Sequence, residues 1–170
     1  MDQAIWNLLP EAEKAWFEEL DKGQLEGVES LLDRYYGQIS DGFDHRVLAA
    51  LREQFFHRLE RAFLTAPYRY NIDKVLSLIM EKVVHDPPPI HFLEKLLMLL
   101  DEDAKAIDGE CKYLMALCLF NFAPEHPDFL DLLGAGIEKQ VERLCSKNPS
   151  FGLNILLRSV VIKLKDRLQC

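Results

Sequence analysis

Threonine occurs once in this sequence, at Thr65, and valine eight times, against 29 leucines. β-Branched residues favour strands, while leucine, glutamate and lysine favour helices, so the scarcity argues against a sheet protein. Glycine and proline number eight each, which excludes collagenous and low-complexity classes. Bases are outnumbered 20 to 28 and the formal charge is −8. A dedicated nucleic-acid binder needs a basic footprint, so that class is not expected. No apolar run reaches the roughly 18 residues of a bilayer-spanning helix. The longest charge-free stretch lies around residues 113–124.

Chemical motifs are equally scarce. There is no Gly-x-Ser-x-Gly elbow, no phosphate-binding loop and no His-Glu-x-x-His. The two Glu-x-x-His motifs of a di-iron bundle are also missing. Gly134-Ala135-Gly136 lacks the third glycine and the preceding strand of a dinucleotide fingerprint, and reads as a point of close helix packing. The four cysteines, Cys111, Cys118, Cys145 and Cys170, form no Cys-x-x-Cys pair. Cys111 and Cys118 lie seven apart on one expected helix, about 10.5 Å along its axis, too far for a disulfide. Reduced thiols, mostly in the core, are expected. Neither an enzyme nor a cofactor is implied. Met1-Asp2-Gln3 carries an acid where a secretory signal carries bases, so a cytoplasmic protein is expected, with signal-less export the other route.

What is present is apolar and periodic. At 49% hydrophobic and 10% aromatic the chain is too apolar to be disordered. Its length of 170 residues suits one helical domain over 1–170, with 1–9 as an extended N-terminal segment. About eight helices can be drawn from 3.6-residue periodicity. The stripes are Val28, Leu31, Leu32, Tyr35, Tyr36, then Leu48, Leu51, Phe55, Leu59, Phe63, then Val75, Leu78, Ile79, Val83. Residues 90–102 and 109–122 are apolar on most sides, and the second of these is expected to be the central helix. A seventh helix is expected from Pro127 to about Cys145. An eighth is expected to be capped by Asn148-Pro149, with Leu153, Leu156, Leu157, Val160, Val161, Leu164 and Leu168 on its face. Phe92-Leu93-Glu94-x-Leu96 and Phe129-Leu130-Asp131-x-Leu133 match at an offset of 37 residues, a period that suits stacked αα-hairpins. The expected fold is therefore all-α: a compact bundle or a short αα-hairpin solenoid.

Charge is distributed unevenly. Residues 1–33 carry −7, residues 34–142 carry −6 and residues 143–170 carry +5. Arg143, Lys147, Arg158, Lys163, Lys165 and Arg167 supply the basic end. One reading packs the acidic N-terminus near this basic C-terminus. Another makes the last helix a basic amphipathic surface for an acidic or amphipathic partner, or for a membrane. Ile5, Trp6, Leu8, Leu9, Trp16 and Phe17 make the other end unusually aromatic; left undocked, they would form an interaction patch. Glu53 with His57, and Glu81 with His85, are i, i+4 pairs that suit a surface ion pair or, less commonly, two metal ligands. His85 and His91 flank Pro87-Pro88-Pro89.

The leading expectation is a non-enzymatic intracellular interaction module: an adaptor, chaperone-like binder or regulatory effector. Its partner-binding candidates are Trp6, Trp16, Phe17, Arg158, Lys163, Lys165 and Arg167. The alternatives are a metal-binding helical enzyme using Glu53 and His57, and a peripheral membrane protein using the last helix.

Overall fold

Helices form where the apolar stripes run. The computed structural model describes residues 3–37, 44–65, 70–83, 86–101, 107–126 and 136–168. Among them there are nine α-helices, one 3-10 turn and no strand. The helices are α1 (Gln3–Leu8), α2 (Glu11–Asp21), α3 (Val28–Tyr36), α4 (His45–Thr65), α5 (Tyr70–Lys82), α6 (Ile90–Asp101), α7 (Gly109–Phe122), α8 (Gly136–Lys147) and α9 (Phe151–Leu168), with the 3-10 turn Ala123–Glu125 after α7. The fold is all-α. By internal contacts the chain divides into two compact units, Met1–Asp86 and Pro87–Cys170, where length alone suggests one domain. The division falls at the triple proline, which can neither donate amide hydrogen bonds nor continue a helix.

In the first unit α2 packs on α4, and α3 packs on α2, α4 and α5. The α3 and α4 stripes are buried almost residue for residue: Val28, Leu31, Leu32 and Tyr35 on α3, and Leu48, Leu51, Phe55, Leu59 and Phe63 on α4. Residues 3–8 are helical rather than extended. Gly23 ends α2 in the left-handed region, with φ 76°, and the Gln24 amide returns to the Glu19 carbonyl at 2.9 Å. Gly27, the residue before α3, lies close against α2. A Cβ there would lie 2.9 Å from Cβ and Cδ1 of Trp16.

Glu13 is the one charged side chain buried among the described residues, at 3% exposure. Its carboxylate accepts from Arg34 Nε and from the Tyr35 hydroxyl, each at 2.9 Å. This ties α2 to α3 and satisfies the carboxylate away from water. Two arginines of α4 reach backbone carbonyls of neighbouring helices. Arg52 Nε donates to the Tyr35 carbonyl at 2.9 Å, at the unsatisfied end of α3, while its guanidinium lies over Tyr36 and pairs with Asp86. Arg58 donates to the Phe17 carbonyl at 3.3 Å and to Asp21 at 2.7 Å.

In the second unit α7 packs against α6 and α9, and α9 also packs on α8 and the 3-10 turn. Asp108 caps α7 through the Cys111 amide at 2.8 Å. The cap of α9 is Ser150, whose hydroxyl accepts from the Leu153 amide at 3.4 Å; Asn148 instead offers its carbonyl to Asn154 Nδ2 at 3.0 Å. Helix α7 is not buried all round: Tyr113 is exposed, and Leu114, Leu117 and Phe120 are half-buried. Gly136 is no packing point either, since a Cβ there would meet nothing within 4 Å. The segment 127–135, with Gly134, Ala135 and the second copy of the suggested repeat, lies outside the described residues, as does His85.

Cys111, Cys118 and Cys145 are buried thiols, not disulfide-bonded. Burial, with a smaller contribution from Cys111, pushes the Cys118 thiol up to about 12. In the first unit burial raises Tyr35 and Tyr36 above the ordinary tyrosine range, and the Glu13 hydrogen bond adds to this for Tyr35.

Two predictions follow from the cores. Gly27→Ala is expected to lower stability by about 1–3 kcal/mol through overpacking against Trp16. Gly136→Ala is expected to leave stability unchanged or raise it by less than about 1 kcal/mol; urea unfolding of both variants checks the contrast. The second prediction concerns alkali. The buried thiol and phenols favour their neutral forms in the folded state, so their contribution is complete below the unfolded pKa values and is lost as pH rises above them. The melting temperature is therefore expected to fall from about pH 9 upward, first for Cys118 and then for the tyrosines. Cys118→Ser and Tyr36→Phe would each flatten their part of that slope.

Candidate functional site

Helix α9 is apolar on two faces. Leu153, Leu157, Val160 and Leu164 are buried and lie within about a quarter turn of one another. About half a turn away stand Phe151, Ile155 and Ile162, which are 80%, 51% and 57% exposed. These three share one face because residues four, seven and eleven apart nearly superimpose around a helix. Arg158 and Lys165 continue the same stripe between and beyond them, three to four residues from each neighbour. Single exposed apolar residues are ordinary on a protein surface, whereas these three stand on one face of one helix. The other large exposed apolar residues, Leu8, Met98 and Tyr113, are on three separate helices.

Beside this stripe a shallow groove of about 410 Å³ runs between α8 and α9, lined by Glu138, Val141, Glu142, Arg158, Val161 and Ile162. The ends of the two helices are tied together. Asn154 Nδ2 reaches the Cys145 carbonyl at 3.3 Å, and the Cys145 thiol lies 3.8 Å from the Asn154 carbonyl. The groove is thus set by packing and hydrogen bonds rather than by charge alone.

All six basic residues of the C-terminal region have partners within their own unit. Arg143 and Lys147 pair with Asp101, Arg158 with Glu142 at 3.5 Å, Lys165 with Glu138 and Arg167 with Glu125. Lys163 Nζ sits 3.5 Å from the centre of the Phe120 ring. The positive charge at this end is balanced by acids of the same unit, so these pairings do not draw on the acids of residues 1–33. These pairs are half exposed, and each contributes about 0–1 kcal/mol. They can be exchanged for other partners at small cost.

Among the expected candidates, Arg158 and Lys165 lie along the exposed stripe of α9, whereas Lys163 and Arg167 lie on other sides of the helix, beside Phe120 and Glu125. The N-terminal aromatics belong to the first unit and are docked there. Phe17 is fully buried and stacks on Tyr35 with ring centroids 6.1 Å apart, so it offers no surface to a partner. Trp6 packs on Phe17 at 6.2 Å and lies 5.3 Å from the Arg58 guanidinium; Trp16 is half-buried over Gly27. Glu53 and His57 face each other on α4, Oε1 to Nε2 at 3.5 Å, both about half exposed. The pair is a long ion pair and supplies two of the three or four ligands that a zinc site requires.

Phe151, Ile155 and Ile162 were not singled out by periodicity, because the Leu153 stripe already accounts for a helix there. The missed signal is their 4- and 7-residue spacing on the opposite side. No helix among the described residues is long and apolar enough to cross a membrane.

The two faces of α9 should respond differently to substitution. Ile155→Glu or Ile162→Glu is expected to change stability by no more than about 0.5 kcal/mol. Leu157→Ala, on the buried stripe, is expected to cost about 2–5 kcal/mol; thermal or urea unfolding reads both. Compared with protein-family models, curated proteins and solved structures, the chain matches none.

Proposed function

We propose that this protein is a cytoplasmic, non-enzymatic protein–protein interaction module of the adaptor, chaperone-like or effector kind, and that it presents the outer face of α9. The observation that supports this reading is the exposed line Phe151–Ile155–Ile162, interrupted by Arg158 and bordered by the α8–α9 groove. Removing a large apolar side chain from water contributes about 1.5–3 kcal/mol, so three such residues form a useful anchor. Arginine with an apolar stem is also a common anchor at interfaces. An amphipathic helix laid along the face would cover the stripe, as in helix-in-groove recognition.

The same face offers a second reading, a membrane surface, because its apolar side chains stand in line with Arg158 and Lys165. The carboxylates of Glu138 and Glu142 beside those bases weigh against attraction to anionic lipid. A third reading, metal binding, draws on the Glu53–His57 pair.

Three measurements on the purified full chain separate them. Affinity capture with the wild type and with Ile155→Glu/Ile162→Glu is expected to yield a protein retained only by the wild type. Hydrogen exchange should then show new protection over residues 151–162 when that protein is added back. Retention that ignores the double substitution would overturn the assignment to α9. Flotation with anionic vesicles at low salt, abolished by the same substitutions, would replace it with the membrane reading. Stoichiometric zinc or iron, lost on His57→Ala, would favour the metal reading.

A further inference from the structure

We infer that α1 is a releasable strap on the first unit. It opens about Leu9 and Pro10 while α2–α4 stay folded, and it uncovers a preformed aromatic seat whose occupant is its own Trp6. Helix α1 has six residues, none of them buried. Helices of this length do not hold themselves together in water, so α1 persists through its contacts with the rest of the unit. Pro10 has no amide hydrogen with which to continue a helical ladder, and it disfavours helical backbone at Leu9, so α1 and α2 are separate elements. Leu9, at 5% exposure, stays in the core as the pivot.

Trp6 carries the tie. Its ring lies 6.2 Å from that of Phe17, tilted by 51°, with the Arg58 guanidinium 5.3 Å from its centre. Trp6 is nevertheless only half-buried, and Leu8 beyond it is exposed. The groups beneath Trp6 are held by contacts that do not involve α1. Phe17 stacks on Tyr35, and Arg58 donates to the Phe17 carbonyl and to Asp21. The same guanidinium lies 5.0 Å from the centre of the Phe17 ring. An aromatic face and a cation therefore stand ready for an indole whether α1 is closed or open. The segment that supplies the indole has few apolar contacts to lose, and local opening draws on segments of this kind. While closed, the strap keeps the seat from any other aromatic side chain.

Fluorine NMR of the full chain labelled with fluorotryptophan tests the inference, since Trp6 and Trp16 are its two tryptophans and Trp6→Phe assigns their signals. Trp16, packed against Gly27, reports the contact between α2 and the start of α3. In a urea titration the Trp6 signal is expected to reach its solvent-exposed position before the Trp16 signal and the helical circular dichroism change. Trp6→Ala is expected to leave the Trp16 midpoint where it is. The same variant should speed hydrogen exchange of the Leu9 amide, which donates to the carbonyl of residue 6, by about tenfold or more. A Trp6 signal that moves only together with that of Trp16 overturns the strap, as does a Trp16 midpoint lowered by Trp6→Ala, because α1 then belongs to the cooperative core. A Trp6 signal already at its solvent-exposed position without urea overturns it too, because the seat is then not occupied by Trp6.

Discussion

The inward packing of Leu153, Leu157, Val160 and Leu164 decides what the C-terminal unit shows to water. Helix α9 has two apolar faces, and only one of them is buried. Once the leucine-rich side is buried, with α9 packed on α7 and α8, the opposite side is committed to solvent. Phe151, Ile155 and Ile162 are exposed for that reason. Being exposed, they contribute little to the folding of their own unit.

Charge follows packing in both units. The +5 of residues 143–170 suggested either packing against the acidic N-terminus or a basic surface for a partner. In the structure Asp101, Glu125, Glu138 and Glu142 stand beside those bases, and the Phe120 ring lies beneath Lys163. A charge gradient along a chain is not a charge gradient over a surface, because helices bring distant residues side by side. The bases on the exposed stripe of α9, Arg158 and Lys165, each stand beside an acid of α8. Surface pairs of this kind are weak, so they set selectivity more than strength.

The first unit places its costly electrostatics inside. Glu13 sits in the first turn of α2, where an acid suits the helix dipole, yet its carboxylate turns inward to Arg34 and Tyr35. Breaking such a buried pair leaves an uncompensated charge, so the triad specifies how α2 sits on α3. Arg52 and Arg58 of α4 act similarly, pairing with acids while satisfying backbone carbonyls of Tyr35 and Phe17. The aromatic N-terminal end is thereby part of a core, with Phe17 at its centre.

Leucine excess, proline punctuation and 3.6-residue periodicity were enough to determine an all-α chain and the burial of nearly every stripe residue on α3 and α4. Asp44 and Asp108 cap their helices and Gly23 ends α2, effects that act within one helical turn. Ser150 displaced Asn148 as the cap of α9, a choice between neighbours that local preference does not resolve. Only tertiary packing decided that Phe17 is core, that Gly136 touches nothing where Gly27 is tightly packed, and that the bases of α9 are matched within their own unit. It alone decided which of the two apolar faces of α9 turned inward. The physical reason is common to these cases: periodicity records that a residue is apolar and which side it lies on, whereas burial depends on the element that comes to lie against that side.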